Sequence, residues 1–565
     1  MVRIIKKTSW EFFLVLAISI TSTILTTIAL LSQYIQRPKD RIFIGMIHYW
    51  EDLYYYLDQF YQGAHGSWLT TNNFTTEKFP PTTIYFIHLL LGKLGGILGL
   101  EPFTAYNLSV LFLKFFFILL SYYVIKKIFP HNAVYRLVIF CIFLFSSSFP
   151  EIKIDSQASF SVSSITLFRA ENTIFSRFGN MPEILTRNII FLLLLLLISL
   201  LITKIEKYIQ KEIPLTRLIT SKESLIILIS IVGLFILLSI SDAAKSLNLI
   251  LVAGIYIIFH LPKTGKLKYL FTWSVIILII LLPAGLIIIN TYKAIKGNSA
   301  YTFATQWDIN QQEKMLSNLL QNPIEIIKFF GTLGIAALIG SYFVWKKEKN
   351  ILESLGYLTV IIGVSGFFLP LYKFIPIPGF RLVFSSSYIF LAIMAFHALI
   401  FIKQKCGARA FWIVLIIYFV PNAITITSST IKNSLPLKEP YYHFAYMPKT
   451  IFEALLFLRY REPKDAVVLA NPATSIDMLV PGFSGKRTYS GHFLMTINAK
   501  EKDKLTNDFL YKWTDENRAK KFLLENEIKY IMWTKYSGDV NQIKRDYKFL
   551  KIIFENPDIS IFSYD

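Results

Sequence analysis

The stretch His48-Tyr49-Trp50-Glu51-Asp52-Leu53-Tyr54-Tyr55-Tyr56-Leu57-Asp58 decides how the rest of the chain is read. It follows an apolar run from Trp10 to Leu31, itself preceded by Arg3, Lys6 and Lys7. Basic flanks stay on the cytoplasmic side of a span, so the stretch emerges on the opposite face. Carboxylates beside a bilayer are costly unless they meet water, a cation or a substrate. Read as a helix over 43–62, the segment sets Phe43, Ile47, Trp50, Tyr54, Leu57 and Tyr61 on one stripe. His48, Glu51, Asp52, Tyr55 and Gln62 fall on the other. Such a helix buries its aromatics at the headgroup boundary and turns its acids toward a water-filled cavity. An acid whose pKa is raised in an apolar cleft suits a general base. The plainer alternative is a solvated interfacial helix whose acids balance nearby lysines.

Composition supports a membrane setting. Of 565 residues, 54% are hydrophobic and 17% charged, against about a quarter charged in soluble domains, and the mean hydropathy is +0.49. The net charge of +21 does not indicate nucleic-acid binding, because the basic residues fall mostly between apolar runs, where they set topology and meet anionic headgroups. Cys141 and Cys406 have no plausible partner, so no disulfide framework or cysteine metal site is expected. The first apolar run is too long for a signal-peptide core and reads as an uncleaved anchor.

Apolar stretches of about 20 residues centre near residues 21, 91, 114, 141, 194, 232, 253, 280, 334, 360, 391 and 418. Basic loops at Lys204 to Lys222, Lys263 to Lys268, Lys346 to Lys349 and Lys403 to Arg409 set the cytoplasmic side, with Asp155 to Glu183, Asp242, Tyr292 to Asn322 and Leu371 to Phe380 outside. The first part conflicts: the N-terminus and Lys126, Lys127 and Arg136 all ask to be cytoplasmic, yet three apolar stretches separate them. The stretch 82–100, with Gly92, Gly95, Gly96 and Gly99, is the weakest and reads as re-entrant or surface-lying; an extra half-crossing within 40–65 is the alternative. The count is then eleven or thirteen rather than twelve. The expected fold class is a polytopic α-helical membrane protein of about 11–13 transmembrane helices with an extracytoplasmic α/β domain. The membrane domain covers 1–427, with outer loops at about 34–81 and 151–183, and the soluble domain covers 428–565. Val467 to Ala470, Tyr530 to Trp533 and Ile559 to Phe562 read as strands, and Ala519 to Asn526 as a helix.

With its acidic first outer loop, many spans and outer C-terminal domain, the chain resembles the GT-C superfamily of membrane glycosyltransferases. Within it, the resemblance is to bacterial proteins allied to the family 39 (protein mannosyltransferase-like) group. The matching residues are Asp52 with Tyr55, Gln62-Gly63, Gly66-Ser67-Trp68, Thr75 with Glu77, Leu91-Gly92, Gly99-Leu100, Ala105-Tyr106-Asn107 and Glu171 to Pro182. In the C-terminal region they are Val480-Pro481, Gly485-Lys486-Arg487, Tyr489-Ser490-Gly491-His492, Thr496 and Lys500. Where those relatives have Pro-His, this chain has Pro182-Glu183, so no histidine role is carried over. Glycines in 62–69 serve close approach to a ligand or a tight turn.

The resemblance implies an inverting hexosyltransferase that takes its sugar from a polyprenyl-phosphate donor in the cytoplasmic membrane. Its acceptor would be a lipid, glycan or protein on the outer face. Asp52 aligns best with the family's base, and Glu51 tunes it or binds a metal. Arg381, at the outer mouth of a span, could hold the carrier phosphate bidentately or simply anchor a helix end; Lys373 could assist or solvate its loop. Glu171 is a second carboxylate candidate, with ion pairing to Arg169 and Arg177 as the plainer role. Asp242 and Lys245 read as loop charges or a substrate-facing pair, and Tyr55, Gln62, Lys245 and His492 complete the candidate substrate contacts. His48 with Glu51 is an i, i+3 pair that could seed a divalent metal site, but no third ligand can be named. A transporter or flippase for lipid-linked saccharides, an oligosaccharide ligase or polymerase, and a non-catalytic scaffold remain alternatives.

Overall fold

The computed structural model describes residues 10–45, 50–146, 150–154, 160–164, 181–211, 221–260, 270–345, 350–373, 378–382, 387–438, 441–463 and 465–564. The chain forms two compact units. One comprises 1–29, 110–290 and 307–434, and the other 30–109, 291–306 and 435–565.

Six described helices are long and apolar enough to cross a bilayer: Trp10–Ile35, Pro102–Ile128, Pro182–Tyr208, Lys222–Ser241, Ile351–Phe368 and Ser387–Ser428. Four shorter apolar helices accompany them: Phe86–Ile97, Ala133–Phe145, Ala243–Phe259 and Gly331–Val344. Polar caps mark several starts, since the side chains of Asn132, Ser221 and Asn350 accept from Tyr135, Ser224 and Glu353 N–H. The basic segment Lys403 to Arg409 falls where the long Ser387–Ser434 helix breaks, at Gly407 with φ 86°.

In the first unit, Glu11 accepts Arg136 Nε and Nη2 at 2.6 and 2.7 Å and also binds the Tyr122 hydroxyl. Asn350 Nδ2 donates to Ile128 O at 3.4 Å. The start of the first helix, the end of Pro102–Ile128 and the starts of Ala133–Phe145 and Ile351–Phe368 therefore meet at one end of the bundle. The stretch 82–100 holds no helix long enough to cross a bilayer by itself. Its helix, Phe86–Ile97, has 12 residues, about 18 Å of rise against an apolar core of about 30 Å.

That helix belongs to the second unit, where it packs on Trp50–Ala64. A Cβ on Gly92 would run into the Phe60 carbonyl, one on Gly63 into the Leu89 carbonyl, and one on Gly96 would lie 2.9 Å from Ala64 Cα. The glycines let two backbones touch. The Leu479–Ser484 helix closes on another side, where a Gly482 Cβ would lie 3.0 Å from Leu57 Cβ.

The described strands are β1 (Arg41–Phe43), β2 (Pro150–Ile154), β3 (Phe160–Ser164), β4 (Tyr446–Pro448), β5 (Val467–Ala470), β6 (Arg487–Thr488), β7 (Ile528–Thr534), β8 (Lys551–Glu555) and β9 (Ile559–Ser563). In the first unit β2 and β3 pair antiparallel. In the second, β1 pairs antiparallel with β4, and five strands form a mixed sheet in the order β6-β5-β7-β9-β8. Strands β6 and β7 run parallel to β5, while β9 is antiparallel to both β7 and β8. Val467, Leu469, Ile531, Trp533 and Phe562 join Phe509, Phe522, Leu523 and Ile543 from the following helices in one buried cluster. The alternate β7 side chain Tyr530 instead bonds Glu462, at the end of the Lys449–Arg461 helix. Period-two alternation thus gives the sheet helices on both faces. The strands expected at 467–470, 530–533 and 559–562 and the helix expected near 519–526 are all present, within a residue or a few at each end.

The helix expected over 43–62 is observed as Trp50–Ala64. Residues 41–43 are drawn into strand β1 by pairing with residues 446–448, a non-local contact that overrides the local period. Ile47 and His48 lie outside the described residues. Tyr55, Asp58 and Gln62 are buried, so the helix is covered on more faces than its two-stripe pattern implies.

Candidate functional site

In the second unit, Glu51 and Asp52 occupy the first turn of the Trp50–Ala64 helix, where exposed N–H groups favour negative charge. The Asp52 side chain is 42% exposed, and His492 Nε2 stands 3.4 Å from its Oδ1. Burial pushes the Glu51 carboxyl above its ordinary range; the Asp52 charge adds to this and His492 opposes it.

The next turn of this helix faces inward. Tyr55 is buried among Phe74, Tyr85 and His492, with its hydroxyl 3.4 Å from that of Tyr301. Asp58 is fully buried and accepts Gln62 Nε2 and Asn73 Nδ2, each at 2.8 Å, and Gln59 Nε2 at 3.2 Å. Burial raises its carboxyl to about 7, against the pull of the Asn73 and Gln62 donors. Gln62 also donates to Thr71 O and accepts from Thr71 N–H, both at 2.9 Å, so both ends of its amide are engaged inside the protein.

The following loop is stitched to the C-terminal region. Asn72 Nδ2 donates to Met495 O, and Thr496 Oγ1 to Phe74 O. Thr488 N–H donates to Asn73 O, and Arg487 Nη1 to Thr76 O. Lys502 Nζ reaches Glu77 Oε2 at 2.7 Å and Thr75 and Thr76 Oγ1 at 3.1 Å. His492 is 1% exposed. It sits behind Asp52 and does not present its ring to solvent.

The first unit holds the basic candidates. Arg381 lies on the Gly379–Leu382 turn, paired with Asp308, and its side chain is 43% exposed. Gln312 fixes this turn by accepting Gly379 N–H while donating to Phe367 O at 3.2 Å. Lys373 is exposed on the Leu371–Lys373 turn. Lys245 is buried and donates to Asn188 Oδ1 at 2.8 Å. Asp242 caps the Ala243–His260 helix by accepting Ala244 and Lys245 N–H, and it lies 3.6 Å from Arg187 Nη1. Arg187 also pairs with Glu183. Glu171 lies outside the described residues. Among those described, no group of three acid, histidine or cysteine side chains could hold a metal.

Sequence reading passed over Asp58, Lys502, Arg187, Asp308 and Tyr301. Asp58 with Gln62 and Glu183 with Arg187 are i, i+4 pairs that a search for helical neighbours would find. Asp308 and Tyr301 lie on a long polar helix, Ser299–Gln321, with no local signal to single them out.

The architecture has solved counterparts. The apo crystal structure of the Archaeoglobus fulgidus oligosaccharyltransferase superposes with a TM-score of 0.54 at 12% identity, over 94% of this chain and 70% of that one. The fold is a GT-C fold. Archaeal oligosaccharyltransferase AglB from the same organism, in complex with an inhibitory peptide and a dolichol-phosphate, gives 0.52 at 12% identity over 99% and 75%. ArnT from Cupriavidus metallidurans bound to undecaprenyl phosphate gives 0.48 at 10% identity over 98% of each chain. No family model matches the chain, and no curated protein matches it significantly. At these identities the likeness is one of fold. With its apolar helices, it makes this an integral membrane protein.

Proposed function

We propose that the protein is an inverting glycosyltransferase that moves a sugar from a polyprenyl-phosphate-linked donor to an acceptor at the outer membrane face. The observation that carries this reading is Asp52, a half-exposed carboxylate in a helix's first turn with a buried histidine 3.4 Å behind it. The fold it shares with an enzyme whose structure is in complex with a dolichol-phosphate favours a lipid carrier, and the loop motifs favour an ally of the family 39 group. In this orientation the N-terminus is cytoplasmic and the C-terminal domain extracytoplasmic.

Asp52 takes the proton of the acceptor hydroxyl as the acceptor oxygen bonds to the sugar's anomeric carbon. The bond from that carbon to the phosphate oxygen breaks, and the polyprenyl phosphate leaves with the electron pair. Asp52 then returns its proton to water. The leaving group is already a stabilised anion, so positioning and charge neutralisation carry most of the catalysis. Arg381 binds the carrier phosphate, with Lys373 assisting. Glu51 tunes Asp52.

The test is sugar transfer from synthetic polyprenyl-phosphate sugars by protein in nanodiscs, wild type beside Asp52→Asn. Turnover lost in the variant at unchanged thermal stability supports the reading. Movement of lipid-linked sugar between leaflets without transfer would replace it with a transporter. The oligosaccharyltransferase fold neighbours favour a second reading, in which the carrier delivers a pre-built oligosaccharide; donors of increasing glycan length separate the two.

A further inference from the structure

We propose that His492 is a positioning residue that fixes which oxygen of Asp52 receives the acceptor proton. This rests on Asp52 being the base. The ring of His492 is engaged at both nitrogens and packed by three aromatic rings. Leu494 N–H donates to its Nδ1 at 3.2 Å. A nitrogen that accepts an N–H carries no proton of its own, so the ring's N–H is Nε2, the atom that faces Asp52 Oδ1.

Phe493 stacks on the ring at 5.4 Å with planes 12° apart, while Tyr55 and Phe74 pack at 5.8 and 6.2 Å. The loop beneath is closed by Met495 and Thr496 N–H on His492 O, at 2.9 and 2.8 Å. Gly491 N–H bonds Thr496 Oγ1 at 3.0 Å, and that hydroxyl in turn donates to Phe74 O at 2.7 Å.

An aspartate at the start of a helix can turn about its side-chain torsions and offer either oxygen. A buried donor on Oδ1 leaves Oδ2 as the oxygen open to an acceptor hydroxyl. At 3.4 Å the contact is longer than a relaxed N–H···O bond, and catalytic contacts of this kind tighten when substrate binds. His492 therefore acts through Asp52 and does not itself touch the sugar.

Steady-state transfer with a polyprenyl-phosphate sugar tests this in intact protein in nanodiscs, for His492→Phe, His492→Gln and His492→Asn, each alone and with Asp52→Asn. His492→Phe keeps the ring and loses the donor; kcat falls roughly ten- to hundredfold with KM for the lipid donor unchanged. Gln, whose amide nitrogen reaches about where Nε2 lies, restores most of the loss, and the shorter Asn does not. In the Asp52→Asn background, His492→Phe costs nothing further. If His492→Phe does not fold, the Gln and Asn comparison still decides. Unchanged kcat in the Phe and Asn variants, or equal loss in Gln and Asn, overturns the inference while Asp52 keeps its role. Full turnover in Asp52→Asn alone overturns the reading of the base itself.

Discussion

Gly63 and Leu89 meet backbone to backbone, and a Cβ on Gly63 would run into the Leu89 carbonyl. The reciprocal contact of Gly92 with the Phe60 carbonyl makes the crossing close from both sides. Asp52 lies in the first turn of one of these two helices. Gly63→Val and Gly92→Val are each expected to destabilise by about 1–3 kcal/mol or more, and Gly233→Ala far less, because nothing lies within 4 Å of a Cβ there and its backbone is helical. Thermal unfolding of the three purified variants checks the order.

Glu51 and Asp52 are adjacent but differently placed. Asp52 faces His492, and Glu51 is raised by burial. Asp52→Asn is expected to cost roughly 10²–10⁴-fold in turnover, and Glu51→Gln under tenfold. Equal losses in the transfer assay would move the base role onto the pair.

Asp58 gives the second unit a pH-dependent stability. Burial holds its carboxyl at about 7 in the folded protein, against an ordinary value of 3.8. Between those values the folded protein binds a proton that the unfolded chain has lost. Its contribution to stability therefore falls as pH rises from about 4 to 7, by up to about 1.4 kcal/mol per pH unit, and levels off above. Asp58→Asn should flatten the change in Tm between pH 5 and 8; an unaltered slope would assign it to other groups.

Lys502 and Glu77 join the first loop to the Ala499–Tyr511 helix. Lys502→Met leaves Glu77 without its cation and should cost about 1–3 kcal/mol, less than a fully buried pair because Glu77 is 39% exposed. Adding Glu77→Leu should recover part of the loss in a double-mutant cycle.

Arg381 is expected to act on the carrier phosphate. Arg381→Ala should raise KM for the lipid donor about tenfold or more, and Arg381→Lys should restore little, since an ammonium lacks the planar fork. An unchanged KM would assign Arg381 a structural role, as in its pairing with Asp308.

Much of this was legible in the sequence. Apolar runs between basic loops located the long helices, and the short apolar runs at 467–470 and 530–533 located two central strands of the sheet. At the stretch 82–100, which the charge pattern marked as the weakest apolar run, the helix Phe86–Ile97 has only 12 residues. What stayed hidden depends on distance along the chain. Strand β1 forms only because residues 446–448 lie beside it, which shortens the helix expected from residue 43. Gln62 looked available for substrate, but Thr71 and Asp58 occupy its amide. His492 read as a candidate substrate contact, yet Phe493 of its own loop, Tyr55 and Phe74 pack around its ring.

The bonds around Asp52 join residues 41–77 to residues 443–502, and the acid and its histidine are 440 positions apart. During synthesis, the first loop emerges long before the segment that completes it, and domains assemble as their parts leave the ribosome. A nascent chain can thus be threaded into the bilayer helix by helix while its carboxylate lacks the buried donor behind it. On the proposed function, competence arrives with the last quarter of the polypeptide, so a truncated product would occupy the membrane without the completed Asp52 turn.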